Sequence, residues 1–239
     1  MDGMGKEGDS IMFELIDEAE FRKYRTDCSA ILTETCSLLK EKGISAQFTL
    51  VGSGARNLVT RNGNGPYDLD YNLEIMKAED KYLHDLRHLK DTVRVTLDKA
   101  TRVTRFQESQ DSTSVLTAIL FFKNEPNVKF SFDVAIIKRN DNGTYMRLVH
   151  NKNAICAQNK HTFLTRNVNS DQYTWNEVPS SHNVKEKADK IKKAGQWLLV
   201  RNRYKDLKNL YLQRQTKDKP SFIVYVEAVN EIYSKLFHR

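Results

Sequence analysis

The stretch Leu50–Ile75, LVGSGARNLVTRNGNGPYDLDYNLEI, decides how the chain is read. It closes an apolar run, turns at Gly52-Ser53-Gly54, passes through RNGNGP at Arg61–Pro66, and ends in YDLDYNLEI. Two glycines, two asparagines and a proline in six residues specify a loop. Beyond it Asp68, Asp70, Asn72 and Glu74 alternate with Leu69, Tyr71, Leu73 and Ile75. Side chains on a strand repeat every two residues, so the polar set shares one face and the apolar set the other. Two carboxylates therefore point the same way soon after a small-residue turn, which calls for a chemical reason.

Upstream, Phe13–Lys42 has helical periodicity with Tyr24, Cys28, Ile31, Leu32, Cys36, Leu38 and Leu39 near one stripe, and Gly43 follows as a C′ glycine. SAQFTLVG reads as a strand running into the turn, and ARNLVT as a short helix or turn after it. Downstream, Lys77–Ala100 reads as one long charged amphipathic helix with Tyr82, Leu83, Leu86, Leu89, Val93 and Leu97 as its core stripe. Ser114–Phe122 and Asn127–Arg139 are strands on either side of the turn-like KNEPN, and GTYMRLVH follows them. A weakly periodic polar stretch at 151–183 reads as a connecting segment. Helical periodicity returns over Val184–Gln215 and Pro220–Phe237, broken by TKDKP. The expected class is α+β: a core at 13–150, made of a mixed or antiparallel sheet flanked by helices, followed by a C-terminal helical lobe at 184–239.

The 239 residues include 38 Lys and Arg against 31 Asp and Glu, a net charge of +7. That balance suits a polyanionic partner such as nucleic acid or a nucleoside triphosphate. With 39% hydrophobic residues and no apolar run near the roughly 20 needed to span a bilayer, the composition is that of a soluble globular protein with no membrane partner. The opening MDGMGKEGDS has no apolar signal core, so 1–12 reads as a disordered leader and the cytoplasm as the expected location. Cys28, Cys36 and Cys156 are odd in number and match no zinc spacing, and they read as core thiols.

A third acid, Asp133, interrupts the apolar strand KFSFDVAII. A carboxylate in such surroundings needs a hydrogen bond, a cation or a metal. If its strand neighbours YDLDYNLEI, Asp133 meets Asp68 and Asp70. Three like charges in contact repel one another, and hard divalent cations with oxygen ligands relieve that repulsion. Two magnesium or manganese ions on carboxylates are a recurrent device for nucleotidyl transfer. The Gly-Ser turn complements them, because small residues let backbone N–H groups and the Ser53 hydroxyl approach phosphate, and a following helix adds its dipole.

Gly52-Ser53 after a strand, then Asp68-Leu69-Asp70, then Asp133 in FSFDVAI, resembles the signature of the DNA polymerase β-like nucleotidyltransferase superfamily. The resemblance covers about Phe13–Val149, with a somewhat long loop between Ser53 and Asp68. It implies transfer of a nucleoside monophosphate from an NTP, with ATP as the expected donor, and release of pyrophosphate. It assigns Asp68, Asp70 and Asp133 as catalytic acids binding two Mg²⁺ or Mn²⁺ ions, and Gly52 and Ser53 to the β- and γ-phosphates. Basic residues of the helical lobe, with Lys192, Lys193 and Arg201 as candidates, would reach the triphosphate. The acceptor stays open between RNA, a second nucleotide and a small molecule of the antibiotic type. A non-catalytic nucleotide- or nucleic-acid-binding module is the alternative of a different class. His84 and His88 with Asp91 have the spacing of a zinc face, but the charged run around them favours a solvated helix surface. Trp175, Tyr204 and Tyr211 read as packing residues rather than base-stacking ones.

Overall fold

Asp17 sets the first boundary. The computed structural model describes residues 12–122, 125–150, 173–179, 182–214 and 219–238, so the expected leader before Met12 and Cys156 lie outside the described residues. The Asp17 side chain accepts hydrogen bonds from the backbone N–H of Ala19 and Glu20 at 2.9 and 3.1 Å. That cap starts helix α1 at Glu18–Glu41, which closes at Gly43 with φ +81°. The helix expected from Phe13 is therefore shorter. Phe13–Leu15 is strand β1, antiparallel to β3 (Thr60–Asn62), and RNGNGP is a loop only beyond Asn62. A three-residue strand is too short to impose a period on the sequence.

The described residues divide into two units. The larger, drawn from 17–59 and 67–180, is built on a seven-stranded mixed sheet. Strand β2 (Ile44–Leu50) is antiparallel to β4 (Tyr67–Ala78), and β4 is parallel to the long β7 (Glu125–Arg139). The other edge of β7 is shared: β6 (Leu116–Phe122) takes its first half and β8 (Tyr145–His150) its end, both antiparallel. The short β5 (Gln110–Asp111) borders β6, and β9 (Tyr173–Glu177) borders β8. Residues 173–177, read in the sequence as part of a connection, thus belong to the sheet.

One sheet face is apolar. Leu69, Tyr71 and Leu73 of β4, Phe130, Phe132, Val134 and Ile136 of β7, and Leu116, Ala118 and Leu120 of β6 are buried. Tyr24 of α1 stacks on Phe130 with ring centroids 4.6 Å apart. Each fully buried side chain of this size contributes about 1.5–3 kcal/mol. The long helix expected over Lys77–Ala100 is replaced by three pieces. Strand β4 runs on to Ala78, α3 covers Asp80–His84, and α4 covers Leu86–Thr101. Between the helices Asp85 leaves helical geometry and caps α4 through the His88 N–H at 2.9 Å. The break moves Leu83 out of the expected stripe, 50% exposed, while Tyr82, Leu89, Val93 and Leu97 stay buried.

The smaller unit combines β1 and β3 with α5 (His182–Lys193), α6 (Trp197–Gln213) and α7 (Ser221–Phe237). Gly195, at φ +69°, interrupts the helix expected across Val184–Gln215. Val200, Tyr204 and Leu207 of α6 and Val224, Tyr225, Ala228, Val229 and Ile232 of α7 are buried. Asn209 holds the β1 backbone, accepting from the Phe13 N–H at 2.6 Å and donating to its carbonyl at 3.0 Å.

Candidate active site

The β4–β7 register builds the acid cluster. Asp70 lies directly across from Asp133, and Asp68 across from Ser131. Alternation turns all three carboxylates to the face opposite the apolar core, where one oxygen from each lies within 4.8 Å of the others. On the other side of Asp133, Thr117 of β6 is its register partner, and the Thr117 hydroxyl donates to Asp133 Oδ1 at 2.6 Å.

Burial raises the Asp70 pKa to about 6, and the charges of Asp68 and Asp133 push the same way. Arg147 and Arg56 oppose that rise. Burial also raises Asp133, with the Thr117 hydrogen bond pulling it back and Asp68 pushing it up. Carboxylates held this way resist ionisation until a cation joins them. The donors are all oxygen and half-buried or exposed, with no imidazole or thiolate, so they fit a hard divalent ion such as Mg²⁺ or Mn²⁺.

The Gly-Ser turn is anchored to the same strand. The Val51 N–H donates to the Asp70 carbonyl at 2.8 Å, and Gly52 takes φ +61°. A Cβ at Gly52 would collide with Asp70 Oδ2, so glycine is required by both backbone and neighbour. Gly52–Ala55 forms α2, a single turn, and the Leu58 N–H folds back on the Ser53 carbonyl at 2.9 Å. One turn carries little macrodipole, so any phosphate contact here rests on backbone N–H groups and the Ser53 hydroxyl.

Asp68, Asp70, Asp133, Gly52 and Ser53 thus come together in the larger unit. Lys192, Lys193 and Arg201 belong to the smaller one. The Lys192 ammonium sits 4.7 Å from the Trp197 ring centroid, and Lys193 is exposed. Arg201 is half-buried, and its Nε has no hydrogen-bond partner among the described residues.

Other sequence candidates have ordinary structural roles. His84 Nδ1 lies 2.8 Å from the Asp80 carbonyl and His88 stacks on Tyr82. Among the described residues the three aspartates are the sole group of three metal-ligating side chains. Tyr204 is buried, Tyr211 donates to Glu227, and Lys138 lies over Trp175. The sequence reading did not single out Thr117, Arg56 or Arg147. Thr117 carried a usable signal, being the lone polar residue within LTAILFF. The two arginines carried none, since only the folded chain brings their charge to Asp70.

The mixed sheet, with two acids on one strand, a third on its parallel neighbour and a Gly-Ser turn beside them, belongs to a chain similar in fold to solved di-nucleotide cyclase structures. Among solved structures, the 3′-deoxy-GTP-bound form of Vibrio cholerae DncV matches 94% of this chain and 69% of its own, at 10% identity and a TM-score of 0.57. A mutant of the Vibrio cholerae di-nucleotide cyclase DncV in complex with ATP, GTP and 5MTHFGLU2 matches 94% and 71%, at 11% identity and a TM-score of 0.55. The Bradyrhizobium diazoefficiens CD-NTase CdnG in complex with GTP is looser, with a TM-score of 0.45 and 14% identity; 75% of this chain matches 43% of that one, so the chain spans less than half of its length. No family model and no curated protein sequence matches the chain.

Proposed function

We propose that the chain is a metal-dependent nucleotidyltransferase that moves a nucleoside monophosphate from an NTP, ATP first among the candidates, to an acceptor hydroxyl and releases pyrophosphate. The observation that carries this reading is the meeting of Asp68, Asp70 and Asp133, with ligand oxygens within 4.8 Å on adjacent parallel strands. Asp68 and Asp70 would hold two Mg²⁺ or Mn²⁺ ions, with Asp133 as a further ligand. Bound there, the ions supply charge neutralisation on the triphosphate and lower the pKa of the attacking hydroxyl.

The chain's own groups do the rest. Gly52 and Ser53 would present donors to the β- and γ-phosphates. Asp133 is the carboxylate we place to take the acceptor proton as the oxygen bonds to the α-phosphorus and the bond to pyrophosphate breaks. We read the acceptor as a hydroxyl on a second nucleotide, with an RNA end as the variant of the same chemistry. A Vibrio cholerae cyclic AMP-GMP synthase in complex with the linear intermediate 5′-pppA(3′,5′)pG shares the fold, with a TM-score of 0.53, and that likeness supports this choice. No helix among the described residues is long and apolar enough to cross a membrane.

The test is incubation with each α-labelled NTP and Mg²⁺ or Mn²⁺, alone, in pairs and with RNA, followed by product separation. Pyrophosphate release that disappears in Asp68→Asn is the expected result. No turnover across the panel, together with no metal-dependent nucleotide binding, overturns the reading.

A further inference from the structure

We infer that Thr117 is a positioning residue for the metal-binding carboxylate of Asp133; the inference rests on the acid cluster being a cation site. The three residues Asp70, Asp133 and Thr117 form one row across three neighbouring strands, because Asp133 is the register partner of Asp70 on one side and of Thr117 on the other. The Thr117 hydroxyl donates to Asp133 Oδ1 at 2.6 Å, a short hydrogen bond of the kind made to a charged acceptor. One oxygen of Asp133 is thereby occupied and its carboxylate plane fixed. The group offers its remaining lone pairs to the side where Asp68 and Asp70 stand.

The neighbours of Thr117 make this arrangement stiff. Leu116 and Ala118 are fully buried on the opposite face, across from Val134 and Phe132. The Thr117 backbone is pinned between two core contacts, and a β-branched side chain has few rotamers to choose from. A serine in the same place would offer the same donor on a looser stem. A valine would keep the volume and lose the donor, leaving Asp133 free to rotate and its Oδ1 without a protein partner. A hydroxyl held this way does for a carboxylate ligand what outer hydrogen-bond partners do at metal sites generally, and their loss lowers affinity or activity by roughly 10- to 100-fold.

The experiment uses the full chain and Mn²⁺ alone, with no nucleotide, following free Mn²⁺ by electron paramagnetic resonance. Thr117→Val is expected to weaken Mn²⁺ binding about 10-fold, and Thr117→Ser to stay within about twofold of the parent. In turnover, Thr117→Val is expected to lower kcat with the KM for NTP unchanged, again rescued by serine. A thermal midpoint within a few degrees of the parent separates this from misfolding; if valine shifts it further, Thr117→Ala supplies the same comparison. Thr117→Val binding Mn²⁺ like the parent while Asp133→Asn does not would overturn the role of Thr117 and leave the cation site standing. Asp133→Asn binding Mn²⁺ like the parent would also overturn it, by removing Asp133 from the ligand set, whereas Asp68→Asn binding like the parent would remove the site itself.

Discussion

Strand β4 carries acids at both ends of the same face, and the two ends are treated differently. Toward its C-terminus Glu74 is 6% exposed and fully answered: Arg139 Nε donates to it at 2.8 Å and Gln47 Nε2 at 3.1 Å. Toward its start Asp68 and Asp70 meet a third carboxylate and no ion-paired cation among the described residues, while Arg56 and Arg147 act only from a distance. A buried acid that serves the fold is neutralised by the fold. Acids that serve chemistry are left for something else to neutralise, and the protein tolerates their repulsion until it arrives.

Removing an acid from the unpaired end breaks the comparison most severely. Asp70→Asn is expected to lower the rate of pyrophosphate release by about 10³-fold or more, roughly 4 kcal/mol of barrier, while the far-UV circular dichroism is unchanged. Gly52→Ala comes next, since it forces a side chain into a left-handed backbone and against Asp70 Oδ2. Activity should fall about 100-fold, with about 1–2 kcal/mol lost in urea unfolding. At the paired end Arg139→Ala leaves Glu74 buried with Gln47 alone. Arg139 is itself 54% exposed, so the expected result is a small fall in the urea midpoint, with Mn²⁺ affinity unchanged.

The smallest effect sharpens the contrast through pH. In EDTA, the Asp70 carboxyl titrates near 6 in the folded protein and near 3.9 in the unfolded chain. Between those values the folded state keeps a proton that the unfolded chain releases, so stability falls as pH rises through that window, and the loss is complete above it. Metal-free Asp70→Asn should therefore be more stable than the parent at pH 7.5, with the gap closing by pH 4. Saturating Mg²⁺ should reverse the ranking, because only the parent gains from binding. Differential scanning fluorimetry across pH, with and without Mg²⁺, reads both halves.

Much of this site is legible in the chain because each part breaks a local pattern. The alternation of YDLDYNLEI puts Asp68 and Asp70 on one face, and an aspartate inside KFSFDVAII needs a partner. The mixed sheet and the helical C-terminal residues follow from periods of two and 3.6. What periodicity misses is where one period hands over to another. Asp17 and Asp85 begin helices through one or two side-chain hydrogen bonds, and β1, β3 and β9 are too short or too polar to announce themselves. The register that brings Thr117 to Asp133 is a property of paired strands, invisible in either one. So is the charge that Arg147 brings to Asp70.

The parallel pairing of β4 with β7 also decides when the site can exist during folding. Asp70 and Asp133 are far apart in the chain, with two helices and the β5–β6 edge between them in sequence. Closing so distant a contact is slow, whereas β6 and β7 are close in sequence and can pair early. A growing chain that has just completed β4 carries Asp68 and Asp70 on an edge with no opposing strand. The acids become a cluster only when β7 pairs with β4, so the repulsion among them arises together with the pairing that buries the apolar face.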